Sequence, residues 1–147
     1  MEQVITSTEA ALASGFAMSA YCRLLDIKKW DSWKDLMAGE ATFEFLDISG
    51  NRELYFDSPS AFVAATKEYI GTAVTVHHLH NQEILQTGAG SVTVRWSMED
   101  RICFDKGARA DFTFFHGFGH YTVTFVKRND AWLISKLVLS RLAISFR

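Results

Sequence analysis

Cysteine, proline and long apolar runs are all scarce in this chain of 147 residues, which has two cysteines and one proline. Cys22 and Cys103 are too few and too isolated for a disulfide framework or a cysteine-rich metal site, and they suit a reducing compartment. No stretch approaches the ~18 consecutive apolar residues of a membrane span, and no basic start precedes an apolar run as in a secretory signal. We therefore expect a cytoplasmic protein without a membrane partner.

The chain also lacks a large excess of charge of either sign. The 15 basic and 17 acidic residues are interleaved and give a formal net charge of -2, so no basic patch for nucleic acid is expected. What is abundant is apolar and aromatic: 48% of the residues are hydrophobic and 14% are aromatic, enough for a substantial core. We expect a single domain over residues 1–147, whose aromatic side chains fill the core or line a pocket for a flat apolar ligand.

Helical patterns come first along the chain and strand patterns afterwards. Apolar spacing predicts an amphipathic helix over residues 7–25, a short helix that begins at Trp30, and a third helix that follows Pro59 and ends near Gly71. Alternation predicts strands over residues 41–48, 52–56, 75–86, 91–104, 113–128 and 131–145. This order indicates an α+β domain, in which a curved mixed or antiparallel sheet wraps over the N-terminal helices and encloses a pocket.

Asp100 ends a strict alternation of apolar side chains. Because successive side chains of a strand point to opposite faces, Asp100 shares a face with four apolar residues, which are Val92, Val94, Trp96 and Met98. Either the strand ends there and the carboxylate is hydrated, or the group is buried. A buried carboxylate needs a charged or hydrogen-bonding partner, and such groups often belong to functional sites.

Arg141 presents the same pattern in the last predicted strand. Alternation assigns it to one face with five other residues, which are Leu133, Ser135, Leu137, Leu139 and Ala143. An ion pair between Asp100 and Arg141 would satisfy both charges, since burial of either one alone is costly. A catalytic or substrate-orienting role for Arg141, or exposure near the chain end, is also consistent with the pattern.

Three histidines fall close together in the segment TVHHLHN at residues 75–81. On a regular strand His77 and His80 point to opposite faces, and no cysteine or HExxH pattern accompanies them, so the segment does not predict a zinc site. One inward histidine, His77, is the simpler interpretation. It is either a structural residue or a base whose tautomer a nearby carboxylate sets.

Five short segments, in order along most of the chain, resemble a known family. They are YCRLLD at 21–26, TVHHLHN at 75–81, WSMED at 96–100, GFGHY at 117–121 and LSRL at 139–142. They resemble the SnoaL-like branch of the NTF2-like, cystatin-like cone folds, which includes scytalone dehydratase and the bile acid 7α-dehydratases. By this resemblance Tyr21, Asp26, His77, Asp100 and Arg141 correspond to the positions that line the dehydratase pocket.

The resemblance implies a cofactor-independent dehydratase that acts on a hydrophobic, cyclic hydroxy-carbonyl compound. In that scheme His77 moves the proton and Asp100 orients the imidazole. Tyr21 donates to the carbonyl oxygen, and Asp26 or Arg141 completes the polar set. An isomerase of a similar ketone, or a non-catalytic ligand-binding or assembly module, are the alternatives. No metal or nucleotide cofactor is expected.

A long curled sheet leaves one face exposed, so we also expect a homo-oligomer. Related dehydratases form trimers and many other relatives of this fold form dimers, and the sequence does not choose between them.

Overall fold

The computed structural model describes residues 5–147, and this part of the chain contains three helices. They are α1 (Ser7–Asp26), α2 (Trp30–Lys34) and α3 (Pro59–Ile70). A capping box between Thr6 and Glu9 begins α1, and the Ser58 side chain caps α3 ahead of its N-terminal proline. Among the described residues, no helix is both long enough and apolar enough to cross a membrane.

Six strands form one mixed sheet within the described residues. They are β1 (Met37–Leu46), β2 (Arg52–Phe56), β3 (Val74–Thr87), β4 (Ser91–Cys103), β5 (Phe114–Arg128) and β6 (Ala131–Phe146). Their order is β2-β1-β6-β5-β4-β3, in which β1 and β6 are parallel and all other neighbours are antiparallel. The predicted α+β class with a curved sheet over N-terminal helices is confirmed, and β3 is an edge strand.

The core lies between the helices and one face of the sheet. Met18, Tyr21 and Leu25 on α1 are buried, as are alternate residues of β4. The alternation continues past Asp100 to Ile102, so the interpretation that the strand ends in water at Asp100 is wrong: its side chain faces the core side and the residue is 4% exposed.

Two bulges in β6 change the face assigned to part of that strand. Ser135 lies between the residues paired with Thr124 and Phe125, and Leu142 lies between those paired with Phe118 and Gly119, so each is an extra residue. The alternation therefore shifts at both places. Ile134, rather than Leu133 or Ser135, is buried on the core side with the following residues, which are Leu137 and Leu139.

Candidate functional site

Asp26 and His77 form a close carboxylate–imidazole pair between α1 and β3. The Asp26 Oδ1 atom lies 2.7 Å from His77 Nδ1, and Asp26 Oδ2 accepts a hydrogen bond of 3.0 Å from the His77 backbone N–H. The Thr75 hydroxyl donates to Asp26 Oδ1 at 2.9 Å. The carboxylate is thus held by two residues of β3, which lie on one face of that strand.

Asp26 occupies a position at the C-terminal end of α1 where an acidic side chain does not stabilise the helix. It is the last residue of α1, and the C-terminal end of a helix carries partial negative charge, so a carboxylate there is unfavourable by a few tenths of a kcal/mol to about 1 kcal/mol. The donors from Thr75 and His77 offset this cost. We infer that the position serves the contact with His77 rather than the helix.

The contact fixes the protonation pattern of the neutral imidazole. An ionised carboxylate only accepts hydrogen bonds, so His77 Nδ1 carries the hydrogen and Nε2 holds the lone pair. The His77 side chain is 7% exposed and that of Asp26 is 21% exposed. This arrangement leaves an oriented, largely desolvated base with one free nitrogen.

An open cleft of ≈ 760 Å³ runs along the edge strand beside this pair. Residues of α1 form one wall and the first half of β3 forms the other. The lining residues are Ser19, Cys22, Arg23, Asp26, Ile27 and residues 75–80. Asp26 and His77 therefore adjoin a space large enough for a small organic ligand.

Asp100 and Arg141 form a second pair on the inner face of the sheet. Arg141 Nη1 lies 2.6 Å from Asp100 Oδ1 and Nη2 lies 2.9 Å from Oδ2, which is a bidentate contact. Burial alone would lower the pKa of Arg141, but the hydrogen bonds and charge of Asp100 outweigh burial and raise that pKa above its ordinary value. The ion pair that the sequence suggested is present.

Gly117 provides the space for this pair. It lies opposite Asp100 on the next strand, and a Cβ atom there would overlap Arg141 Nη1 and lie 2.8 Å from Asp100 Oδ1. Gly119 likewise approaches the backbone oxygen of Ser140 too closely for a Cβ. Both glycines of the GFGHY segment thus permit close approach within β5.

The expected partner of His77 differs from the observed one. Asp100 is directly opposite His77 in the β3–β4 register, but its two oxygens are taken by Arg141, and Asp26 holds the imidazole instead. Alternation assigns residues to strand faces, whereas Asp26 lies at a helix end, so the pattern does not reveal its contact with His77. Thr75, a polar residue two positions before His77 and on the same inward face, is the sequence feature that indicates a second donor to a carboxylate there.

Tyr21 lies deeper than the cleft. It is 1% exposed, and its ring packs against Trp33 and Tyr121, with ring centroids 5.2 and 6.1 Å away. Burial raises the pKa of Tyr21 well above its ordinary value, so the phenol stays protonated. Of the five predicted site residues, the structure brings together Asp26 with His77 and Asp100 with Arg141, and places Tyr21 in the core.

Comparisons with known proteins agree with this fold. One similar solved structure is that of a Nostoc punctiforme protein of unknown function with a cystatin-like fold. It superposes with a TM-score of 0.67 at 12% identity, and the match covers 96% of this chain and 95% of that one. A proposed scytalone dehydratase from Novosphingobium aromaticivorans gives a TM-score of 0.79 at 19% identity, with 95% and 91% covered.

The beta subunit of the benzoate 1,2-dioxygenase from Burkholderia mallei is also similar, with a TM-score of 0.73, 19% identity and coverage of 95% and 92%. The family model of the SnoaL-like domain matches residues 15–138, which run from the middle of α1 to the middle of β6. This chain therefore belongs to the SnoaL-like family.

Proposed function

We propose that the chain is a cofactor-independent acid–base enzyme that removes water from a hydrophobic, cyclic hydroxy-carbonyl compound. The observation that carries the proposal is the Asp26–His77 pair beside the cleft, with Asp26 Oδ1 2.7 Å from His77 Nδ1. A proposed scytalone dehydratase shares this fold at 19% identity, so the fold is compatible with this reaction class.

In this mechanism His77 Nε2 removes a proton from carbon next to the substrate carbonyl. The electron pair of the C–H bond forms the C=C bond of an enolate, and Asp26 stabilises the resulting imidazolium. The C–O bond to the leaving hydroxyl then breaks as His77 returns the proton to that oxygen. Water and a conjugated carbonyl compound are the products, and His77 is neutral again.

Asp100 and Arg141 act as a positioning pair in this scheme. Asp100 faces His77 across the β3–β4 pair, where opposed side chains are typically about 5 Å apart at Cβ. Arg141 neutralises that carboxylate, so the pair keeps a net negative charge away from the base. Tyr21 supplies a protonated phenol behind the pocket. Its donation to the substrate oxygen remains a prediction, because it requires the ligand to reach the core side of α1.

The test is a panel of cyclic hydroxy-ketones assayed for the ultraviolet absorption of the conjugated product. Replacement of the base should reduce turnover about 10²-fold or more, because general acid–base catalysis contributes about 10²–10⁴-fold. The variant is His77→Ala. A matched control is His120→Ala, which removes a half-buried strand histidine that does not line the cleft. Turnover within threefold of wild type in the first variant, with normal folding, would remove His77 from this role.

Asp26→Asn tests the carboxylate separately. The amide keeps the shape of the side chain but cannot stabilise an imidazolium by charge, and its NH₂ group can donate to Nδ1 and so select the other tautomer. We expect kcat to fall by at least about tenfold, in line with a loss of more than 1.4 kcal/mol of transition-state stabilisation. An unchanged kcat with an unchanged pH profile would contradict the role of Asp26.

Two alternatives use the same fold differently. An isomerase would use His77 to return the proton to another carbon, and mass spectrometry of the product distinguishes it by the absence of water loss.

A non-catalytic assembly module is suggested by the similarity to a dioxygenase beta subunit and by exposed apolar side chains such as Phe118 and Leu142. The homo-oligomer expected from that exposed surface is a dimer or trimer, which light scattering of the purified chain measures.

A further inference from the structure

A second group of titratable side chains lies on the outer face of β3 and β4. His78 and His80 alternate along β3 and so point to the face opposite His77. Glu99 is directly across from His78 in the β3–β4 register. The ligating atoms of these three residues all lie within 4.8 Å of one another.

We propose that His78, His80 and Glu99 form a binding site for a divalent transition-metal ion of the zinc class. Imidazole and carboxylate are suitable ligands for Zn²⁺, and three protein ligands leave one tetrahedral position for water or another donor. The three ligands lie on the face of β3 opposite Thr75 and His77, so none of them belongs to the Asp26–His77 pair.

The spacing is close to what a metal requires. With bonds of about 2.0–2.1 Å, ligand atoms of a tetrahedral zinc site lie roughly 3.3–3.4 Å apart. The His78 Nδ1 atom is 3.4 Å from Glu99 Oε1, and His80 Nε2 is 4.0 Å from the same oxygen. The two histidine side chains are 50% and 55% exposed, so small rotations into water-filled space can close the site without repacking the core.

Glu99 is oriented for this role by its neighbours. Both histidines face its Oε1 atom, whereas its Oε2 atom is held by His116 Nε2 at 3.2 Å. Outer hydrogen-bond partners of this kind fix the orientation of ligating carboxylates and strengthen metal binding. The guanidinium of Arg101 also lies near this second oxygen, with its Nη2 atom 3.8 Å from Oε2.

The same contacts have a simpler explanation, in which Glu99 only balances surrounding positive groups. That explanation needs one carboxylate with several cationic neighbours, and it predicts no affinity for metal. It does not require two imidazole nitrogens to face one oxygen. His78 and His80 also line the cleft, so a bound ion would lie beside it.

The test uses the full chain without an affinity tag, stripped of metal by a chelator and titrated with Zn²⁺ in a calorimeter. Co²⁺ absorption provides a second readout, because the visible band reports the coordination geometry. We expect one ion per chain with a dissociation constant in the micromolar range, and no comparable binding of Mg²⁺ or Ca²⁺, which prefer sites made of oxygen ligands alone.

Four variants locate the ion. His78→Ala and Glu99→Gln each remove a proposed ligand, and each should weaken Zn²⁺ binding by more than the 10–100-fold typical of lost outer partners. His120→Ala, on β5, is the matched control and should bind as wild type does. His77→Ala should also retain Zn²⁺ while turnover falls, so the metal proposal and the acid–base proposal can fail independently.

Absence of saturable Zn²⁺ binding by the wild-type chain would overturn the metal site. So would binding that His78→Ala and Glu99→Gln leave unchanged in chains whose circular dichroism is normal, because the ion would then lie elsewhere.

Discussion

Glu99 and Asp100 are adjacent in sequence, but they lie on opposite faces of β4 and are held in different ways. Asp100 faces the core, is 4% exposed and makes a bidentate contact with one arginine. Glu99 faces outward, and its carboxylate is within 4.0 Å of four cationic or imidazole groups, which belong to His78, His80, His116 and Arg101.

The difference shows what burial demands of a charged group. On the inner face a single partner with fork geometry satisfies both carboxylate oxygens, and the missing side chain of Gly117 leaves room for this contact. On the outer face water completes the hydrogen bonds, so several partners can exchange without a large penalty. The inner pair is therefore fixed by packing, while the outer cluster is able to rearrange around a ligand.

The largest effect should come from breaking the inner pair. Arg141→Met removes the one charged partner that Asp100 has within residues 5–147 and should lower the free energy of unfolding by about 3–5 kcal/mol, because it leaves a buried charge without compensation. Glu99→Gln on the outer face should change stability far less. Urea denaturation of both variants, followed by tryptophan fluorescence, measures the difference.

The control for this experiment is the double variant Asp100→Leu with Arg141→Met. Replacing both charges by apolar groups removes the unpaired carboxylate, so the double variant should be more stable than Arg141→Met alone. Equal stability of the single and double variants would show that the isolated Asp100 charge is not the source of the loss.

A smaller effect is expected at the glycine beneath the pair. Gly117→Ala should cost about 1–3 kcal/mol, since its Cβ must displace Arg141 or Asp100 from the bidentate contact. In the Arg141→Met background most of this cost should disappear. The comparison variant is Gly119→Ala, whose clash is with the Ser140 backbone oxygen, and its cost should be the same in both backgrounds.

The sequence predicted the element order and the strand face of Asp100 because both depend on local periodicity, but it left open whether this carboxylate is buried or hydrated. Alternation along β4 is unbroken, so every face assignment there holds. In β6 the two bulges interrupted the pattern, and three residues were assigned to the wrong face, which are Leu133, Ser135 and Ala143. A bulge cannot be recognised from the residue types along β6, because the extra residue is defined by how β6 pairs with β5.

The partner of His77 was beyond local periodicity as well. Asp26 follows the buried Leu25 at the end of α1, and whether it reaches β3 depends on the angle at which the helix crosses the sheet. To predict that Glu99 lies beside His78 and His80, the pairing register of β3 and β4 must be known. That register depends on the turn at residues 88–90 and on the bulges in the β3–β4 pairing.

The smallest effect concerns the contribution of Glu99 to folding stability at acidic pH. Hydrogen bonds from His116, and secondly from His78, lower the pKa of Glu99 below its ordinary value of 4.5, and the charge of Arg101 adds to this. A carboxyl with a lower pKa in the folded state stabilises the fold fully above its unfolded pKa, and this contribution is lost as the pH falls through the folded pKa.

The melting temperature of wild type should therefore exceed that of Glu99→Gln by a margin that shrinks as the pH falls below 4.5. Both proteins are melted in the presence of a chelator, so that bound metal does not contribute. A margin that stays constant through this range would mean that the ionised Glu99 carboxylate does not stabilise the fold through its histidine contacts. The contacts of Glu99 with His116 and His78 would then not favour its ionised form in the folded state.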